Sequence, residues 1–319
     1  MWYEAAKINV LGITVYAFGL YVMAGAIAFS AAAAARLSIK KAKTGTAPVL
    51  VLLSLLIGML CSRLAFCLMD MEFGSLLPFR FWPYITAGGW SMMGLVGGVF
   101  LAAFLCARLT GQKPWMIIDC AVSGLCLFIT AERVGEQWIP DFDISRTLDS
   151  EWLASTFLSV GDEYDSYLAT FKLAAIAAFV LFIFLTAVDS GKRETSDGNL
   201  TITFLLFFGA GSIILESLRY DLFLSYSFVG LQHIIALVIL TAGVFLASAR
   251  WKGKTAVRTA AAVSLLTAAA IALALEFALD RSTINKFIIY SVMTILIFIP
   301  AVLGFRMLRP VTGRKGSKQ

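Results

Sequence analysis

Nine long apolar runs constrain the fold of this chain more than any other feature of its sequence. They lie near residues 9–35, 48–69, 88–107, 115–131, 168–188, 200–218, 228–248, 259–279 and 287–305. Because about 17 to 25 apolar residues cross a bilayer core as one helix, each run is long enough for a transmembrane helix. A barrel strand would instead be a short stretch of alternating character. The runs predict an all-α, polytopic integral membrane protein with about nine transmembrane helices.

The composition agrees with a chain whose main solvent is lipid. Of the 319 residues, 60% are hydrophobic and 14% are charged, whereas a soluble domain has about 25% charged residues. This excludes an ordinary soluble enzyme. The net charge of +6 fits basic cytoplasmic loops rather than nucleic-acid binding. All five cysteines fall inside apolar runs without metal-ligand spacing, so we expect buried thiols, no metal and no cofactor.

The basic residues predict the orientation of the chain in the membrane. With the N-terminus outside, seventeen Lys and Arg residues fall on the cytoplasmic side and seven on the outer side, and Arg63 and Lys172 in or beside the runs complete the 26. Cytoplasmic loops carry the excess of positive charge in membrane proteins. The sequence therefore favours an outside N-terminus and a cytoplasmic C-terminus.

The longest segment between two runs lies on the predicted outer side, over residues 132–167. It is rich in acidic residues and contains Trp138, Phe142, Trp152 and Phe157. Aromatic residues collect at the headgroup level of membranes. We interpret the segment as a small outer-face cap, and a solvated loop is the alternative.

Polar side chains in the runs carry the strongest functional signal, because an ionisable group in hydrocarbon costs about 2.5–3.5 kcal/mol even on lenient scales. The candidates lie within the runs or at their ends and are Arg63, Asp119, Glu132, Arg133, Glu216, Arg219, Gln232 and His233. Arg133 and Arg219 are candidates for holding an anionic headgroup, since a guanidinium presents a fork of donors to phosphate. Snorkelling helix ends with local ion pairs are the alternative.

Small residues at the start of the third run add a second signal. The stretch AGGWSMMGLVGG contains Gly88, Gly89 and Ser91 and permits a close approach of another helix or a ligand to the backbone. Tight helix packing alone would account for the same stretch.

The order of these features resembles the prolipoprotein diacylglyceryl transferase family from about residue 8 to residue 250. ITVYAFGLYVMAG places Tyr16 on the family's functional tyrosine, and LIGMLCSRLAFCLMD places Arg63 on an arginine of the second span. AGGWSMMGLVGG is similar to the family's Gly-Gly-x-Ser segment, which includes Gly88, Gly89 and Ser91.

The later segments continue this resemblance in the same order. Asp119 falls on the aspartate of the next helix, and AERVGEQW stands where the family has its Gly-Arg-x-Gly-Asn signature, with Arg133 and Gly135 matching. GSIILESLRYD places Glu216 on a glutamate, and GLQHIIAL places Gln232 on a glutamine. The resemblance implies a seven-span core over residues 1–250, including the cap, and a two-helix extension with a basic cytoplasmic tail over residues 251–319.

Three positions depart from the family pattern. Glu136 replaces the signature asparagine, Met93 stands at the histidine after Gly-Gly-x-Ser, and Ser212 replaces an arginine before Glu216. Arg219, seven residues after Ser212, lies on about the same helical face but about 10 Å further along the axis. His233, the single histidine, could replace the missing one or be a packing residue.

The resemblance implies an enzyme of the bacterial inner membrane that uses phosphatidylglycerol to lipidate the lipobox cysteine of lipoprotein precursors. In that reaction a thiolate attacks the glycerol carbon that bears the phosphate, so the site must hold an anionic headgroup and activate a thiol. We assign catalytic roles to Tyr16, Arg133, Glu136 and Glu216. We assign substrate binding to Arg63, Gly88, Gly89, Ser91, Gly135, Arg219, Gln232 and His233.

Two functions therefore remain open from the sequence. The first is a divergent transferase that moves a diacylglyceryl or related lipid group to a cysteine thiol, with membrane phospholipid and a lipobox-containing precursor as partners. The second is a catalytically inactive lipid-binding or partner-binding membrane protein on the same fold. A transporter is less favoured, because the sequence has no inverted repeat.

Overall fold

Nine helices of membrane-spanning length and hydropathy make up most of the described chain, which confirms the predicted all-α polytopic fold. The computed structural model describes residues 7–10, 13–69, 89–138, 147–148, 151–161, 166–190, 196–219, 225–226, 229–281 and 286–308. The helices are α1 (Ala17–Ile39), α2 (Thr46–Met69), α3 (Met92–Thr110), α4 (Pro114–Gly135), α5 (Thr170–Asp189), α6 (Asn199–Ser217), α7 (Leu231–Arg250), α8 (Thr255–Arg281) and α9 (Lys286–Leu308).

Three short antiparallel hairpins lie beside the helices. They pair β1 (Lys7–Val10) with β2 (Ile13–Tyr16), β3 (Ser159–Gly161) with β4 (Ser166–Leu168), and β5 (Ser225–Tyr226) with β6 (Val229–Gly230). The first hairpin corrects the prediction that the first apolar run is helical from residue 9. Its strands are rich in β-branched residues, which favour extended backbone.

Local sequence sets several helix ends. Ser91 caps α3, because its Oγ accepts a hydrogen bond from the backbone N–H of Gly94 at 3.3 Å. Gly111, with φ of +63°, ends α3 in the left-handed conformation that glycine adopts easily. Pro114 begins α4 at a position where its missing N–H costs no hydrogen bond.

The chain divides into two compact units. The first comprises Met1–Thr201 and Leu215–Gln232, and the second Ile202–Ile214 and His233–Gln319. In the first unit α1 packs on α4, α2 packs on α3, and α4 also contacts α3 and α5. Glycine permits the closest approach: a Cβ at Gly124 of α4 would lie 2.7 Å from the carbonyl oxygen of Phe29 in α1.

In the second unit, the part of α6 that belongs to it packs closely on α7, and α8 packs along α9. A Cβ at Gly209 of α6 would lie 2.7 Å from the backbone nitrogen of Leu240 in α7. Both elements of the predicted C-terminal extension are thus helices of this unit. The predicted boundary after residue 250 stays a prediction.

The described part of the segment over residues 132–167 is folded. It contains a helical turn at Glu151–Ala154 and the β3–β4 hairpin, and Leu148 donates its backbone N–H to the carbonyl of Ser166 at 2.7 Å. The ammonium of Lys172 in α5 donates to the carbonyl of Phe157 at 2.7 Å. Trp152 and Phe157 are 73% and 70% exposed, which suits side chains that lie at the headgroup level. Phe142 lies outside the described residues.

Candidate functional site

An ion-pair cluster stands at the C-terminal end of α4, around Arg133. The Arg133 guanidinium donates from Nη1 to Oε1 of Glu136, which lies in the 3-10 turn that follows α4. Its Nε lies 3.5 Å from Oε2 of Glu132. The side chains of Arg133, Glu132 and Glu136 are 11%, 16% and 15% exposed. Burial reduces the screening by water, so the Coulomb attraction between these groups exceeds that of a surface salt bridge, while their removal from water costs free energy.

Two further elements of the first unit bring polar groups to the same cluster. Glu216, at the end of α6, is buried and interacts electrostatically with Arg133. With its amide nitrogen facing that carboxylate, Gln232 at the start of α7 donates to Oε1 and Oε2 of Glu216 at 2.8 and 3.2 Å. Arg219, just after α6, interacts electrostatically with both Glu132 and Arg133, and its backbone N–H donates to the carbonyl of Glu216 at 3.0 Å.

We call this set the Arg133 cluster. Its members are Glu132, Arg133, Glu136, Glu216, Arg219 and Gln232. It joins five of the predicted site residues, which the sequence spreads over about 100 positions. Glu216 and Arg219 are three residues apart, a spacing that lets side chains on one helix face pair, and this pair stays a prediction.

A second set, the Arg63 clamp, fixes the entry into α3 and consists of Ser62, Arg63, Gly89 and Ser91. Arg63 is 1% exposed, donates from Nη1 to the carbonyl of Gly89 at 2.7 Å, and lies over the rings of Phe66 and Trp90. Ser62 donates from Oγ to the carbonyl of Ser91 at 2.8 Å, and the backbone N–H of Ser91 donates to the carbonyl of Ser62 at 3.2 Å. Gly89 has a φ of +82°, a backbone conformation that residues with a Cβ atom rarely adopt.

Two other predicted residues lie at the N-terminal end of α1 and at the C-terminal end of α4. Tyr16 is the last residue of β2, directly before α1, and its backbone pairs with Lys7. Gly135 packs on α1, since a Cβ there would lie 2.7 Å from Cβ of Tyr21. The phenol oxygen of Tyr21 accepts a hydrogen bond from Nε2 of Gln137 at 3.4 Å. Gly88 lies outside the described residues.

His233 belongs to the second unit, where its Nε2 lies 3.7 Å from Oε1 of Glu276 in α8. Both side chains are largely buried. The single histidine therefore pairs with a carboxylate supplied by the predicted C-terminal extension.

Asp119 lies near the opposite end of α4 and caps another helix. Its carboxylate accepts hydrogen bonds from the backbone N–H of Gly198 at 2.6 Å, the backbone N–H of Thr201 at 2.8 Å and the hydroxyl of Thr201 at 2.5 Å. Gly198, with φ of +90°, has no side chain to cap α6 itself. A buried carboxylate from a neighbouring helix thus satisfies the first donors of α6.

Ser62 and Glu276 take part in these contacts but were not among the predicted residues, and Glu132 was a polar candidate to which no role was assigned. Two adjacent charged residues, Glu132 and Arg133, at the end of an apolar run were the sequence signal for the Arg133 cluster. A serine in a helix interior carries no such signal. Among the described residues, no group of three His, Cys, Asp or Glu side chains is arranged to hold a metal ion.

Comparison with known proteins gives one family and two curated relatives. The family described as prolipoprotein diacylglyceryl transferase matches residues 6–249. A phosphatidylglycerol–prolipoprotein diacylglyceryl transferase of Bacillus velezensis is 23% identical over 219 residues, which cover 62% of this chain and 73% of the relative. A protein of the same name from Bacillus licheniformis is 24% identical over 225 residues, 64% of this chain and 77% of the relative.

Proposed function

Since the chain belongs to the prolipoprotein diacylglyceryl transferase family, we propose that it transfers a diacylglyceryl or related lipid group from a membrane phospholipid to a cysteine thiol. The acceptor is a membrane-associated protein with a lipobox. The relatives' names specify phosphatidylglycerol and a prolipoprotein as substrates. The same two substrate classes are the starting point for this chain.

The observation that carries the proposal is the Arg133 cluster. Guanidinium groups stabilise a leaving phosphate when they are held in a buried, preorganised site. Arg133 is held from two sides by Glu132 and Glu136, and Arg219 lies within electrostatic range of it. We therefore assign Arg133 and Arg219 to the phosphate of the lipid donor.

The transfer needs a thiolate and a good leaving group. The cysteine sulfur forms a bond to the glycerol carbon, the bond between that carbon and the phosphate oxygen breaks, and the headgroup phosphate leaves with the electron pair. The thiol proton goes to a base, for which Glu136 is our candidate because its carboxylate lies beside Arg133, the arginine assigned to the leaving phosphate. Glu216, held by Gln232, orients the cluster electrostatically.

The remaining predicted residues shape the site. The Arg63 clamp fixes the Gly89–Ser91 backbone, where a lipid or peptide can approach closely. Gly135 lets α4 approach α1, and Tyr16 stands at the start of α1. We keep Gly88 and His233 as proposed binding residues on the basis of the sequence.

The chain is a multi-pass protein of a bacterial cytoplasmic membrane, as its family and its apolar helices indicate. We propose that the N-terminus is outside and the C-terminus cytoplasmic, which puts the Arg133 cluster on the outer side. We also propose that residues 1–250 form the family core, because the family match ends at residue 249. Reporter fusions at each terminus test the orientation.

A non-catalytic lipid-binding or partner-binding protein is the second candidate. Glu136 favours it, because a carboxylate stands where the family signature has an asparagine and already occupies Arg133. Such a protein would bind the lipid headgroup without breaking its phosphate ester.

The test uses cells depleted of their own transferase and a lipobox precursor followed by mass. We expect a diacylglyceryl mass increment on the precursor cysteine when this chain is expressed. Modification that requires the precursor cysteine supports the transferase. An unmodified precursor, together with lipid that co-purifies with the chain, supports the binding protein instead.

A further inference from the structure

Glu132 brings a largely buried carboxyl group to the Arg133 cluster and is a further departure from the family signature. It stands directly before Arg133, where the signature Gly-Arg-x-Gly-Asn begins with glycine. Its side chain is 16% exposed. An ionisable group at the end of an apolar run is costly to keep out of water, so a contact that compensates for this cost is expected.

The feature that points to a substrate is one oxygen of this carboxyl group. Oε2 of Glu132 is buried and accepts no hydrogen bond from the residues that the structure describes. Nε of Arg133, at 3.5 Å, is an ion-pair neighbour and lies beyond the distance of about 2.7–3.2 Å that is usual for an N–H···O hydrogen bond. Buried polar atoms nearly always have a partner, because an unsatisfied one costs free energy. A donor on a substrate would remove that cost.

The other two carboxylates of the cluster already have donors. Glu136 accepts a hydrogen bond from Nη1 of Arg133, and Glu216 accepts from the amide of Gln232. Among the described contacts of the cluster, Oε2 of Glu132 is therefore the carboxylate oxygen that remains for a ligand. The terminal torsion of a glutamate side chain is soft, so the carboxyl group can turn this oxygen toward a group bound next to Arg133.

We infer that Glu132 selects the headgroup of the lipid donor: its carboxyl group accepts a hydrogen bond from a hydroxyl of a glycerol headgroup whose phosphate binds Arg133. This inference rests on the proposed transferase function and assigns a specificity-determining residue to it. The headgroup hydroxyls lie within a few bonds of the phosphate, just as Glu132 adjoins Arg133 in α4. A hydroxyl is a neutral donor, so it satisfies Oε2 whether or not the carboxyl group carries a proton.

The headgroup contact leaves the chemistry of the proposed transfer unchanged. The thioether carbon–sulfur bond forms, the carbon–oxygen bond of the phosphate ester breaks, and glycerol phosphate leaves with the electron pair. Glu136 remains the candidate base for the thiol proton, and Glu132 only binds. The acceptor peptide also has donors, namely its backbone N–H groups, but the headgroup hydroxyls are favoured because they are attached to the phosphate that Arg133 holds.

The experiment compares two lipid donors that differ only in the headgroup hydroxyls. The full chain is reconstituted in phosphatidylcholine vesicles with phosphatidylglycerol or with phosphatidylpropanol, which has the same charge, the same headgroup carbon chain and the same acyl chains. A lipobox peptide is followed by mass at lipid fractions below saturation, so the rates report kcat/KM. We expect transfer from phosphatidylglycerol to be about fivefold faster, as for one buried hydrogen bond. Equal rates would overturn the inference and leave the transferase function intact.

Glu132→Leu tests the residue assignment, because leucine keeps most of the side-chain volume and removes both acceptor oxygens. We expect this variant to transfer from the two lipids at equal rates. Asp189→Leu is the matched control: Asp189 is 15% exposed and pairs with Arg36 in the last turn of α1. The control should keep the wild-type ratio of the two rates.

Two results would contradict the contact between Glu132 and the headgroup. The first is a preference for phosphatidylglycerol that persists in Glu132→Leu. The second is a loss of transfer in Glu132→Leu that is equal for both lipids, because the carboxyl group would then serve the peptide or hold Arg133 without reading the headgroup.

Transfer from neither lipid by the wild-type chain would refute the proposed function, and lipid binding then tests the headgroup contact by itself. Native mass spectrometry of the detergent-solubilised protein with equal amounts of the two lipids measures which lipid is retained. Preferential retention of phosphatidylglycerol that is lost in Glu132→Leu supports the inference. Equal retention, or a preference that persists in that variant, overturns it.

Discussion

Arg133 and Glu136 form an ion pair across one turn, where α4 passes into a 3-10 turn. The pair places a carboxylate on the arginine that the family signature uses beside an asparagine. Arg133 is therefore oriented before any lipid arrives, and a lipid phosphate has to compete for its donors.

The first prediction concerns Arg133 itself. Arg133→Gln is expected to reduce transfer about 100-fold, as removal of a preorganised donor to a leaving anion does. The rate is measured as the mass increment of a lipobox peptide over time in reconstituted vesicles.

Arg281→Gln is the matched control for that substitution. Arg281 ends α8 and lies over the ring of Phe277, with its guanidinium carbon 4.8 Å from the ring centroid. Transfer by this variant should equal that of the wild type. Equal losses in both variants would refute the assignment of Arg133 to the phosphate.

The second prediction concerns the backbone that the Arg63 clamp holds. Gly89 has φ of +82° and its carbonyl accepts from Arg63, so Gly89→Ala costs about 1–2 kcal/mol for the left-handed conformation and crowds the ring of Phe66. We expect a lower melting temperature in detergent and slower transfer.

Gly97→Ala separates this backbone effect from a general loss of small residues in α3. A Cβ at Gly97 meets no atom within 4 Å, and alanine is favoured over glycine in a helix by up to about 1 kcal/mol. This control should be as stable as the wild type or more so. A Gly89→Ala protein with wild-type stability and transfer would show that the clamp does not hold the segment.

The third prediction concerns Asp119, which caps α6. Asp119→Ala leaves the backbone N–H groups of Gly198 and Thr201 without their acceptor and should cost about 1–3 kcal/mol of unfolding free energy. The measurement is the unfolding of the protein in detergent as the temperature is raised.

Asp197→Ala is the control for Asp119, because its ion pair with Lys113 is exposed and should contribute little. Below the unfolding transition, Asp119→Ala should retain transfer. Loss of transfer in a folded Asp119→Ala protein would assign this residue to the chemistry rather than to the helix cap.

The fourth prediction concerns the pair between His233 and Glu276, which links α7 to α8 within the second unit. Substitution of either residue by Gln removes the same contact, so the two effects on unfolding free energy should be non-additive by about 0.5–1 kcal/mol. A double-mutant cycle measured by thermal unfolding tests this. Strict additivity would mean that the two side chains do not interact.

The sequence predicted the fold because hydrocarbon permits few alternatives. Nine runs of sufficient length became nine helices in the described chain, since a helix satisfies its own backbone hydrogen bonds in lipid. The error at the first run has a local cause. Residues 13–16 are β-branched or aromatic and pair as a hairpin, and apolar character alone does not distinguish the two states.

The site was predicted less completely, because charge in an apolar run identifies a residue but not its partner. Arg133, Glu136 and Glu216 were identified, and the ion pair of Arg133 with Glu136 appeared only in the structure. Asp119 stood out equally in the sequence, although its carboxylate caps α6. Glu276 is a charged residue inside an apolar run, but it lay outside the family resemblance, and nothing in the sequence indicated His233 as its partner.

The most direct test of the central claim is the mass of a lipobox peptide after incubation with the purified, reconstituted chain. The vesicles contain phosphatidylglycerol as the lipid donor. We expect a diacylglyceryl increment on the peptide cysteine, and we expect this increment to be lost in Arg133→Gln. A peptide of unchanged mass, with correctly folded protein in the vesicles, would contradict it.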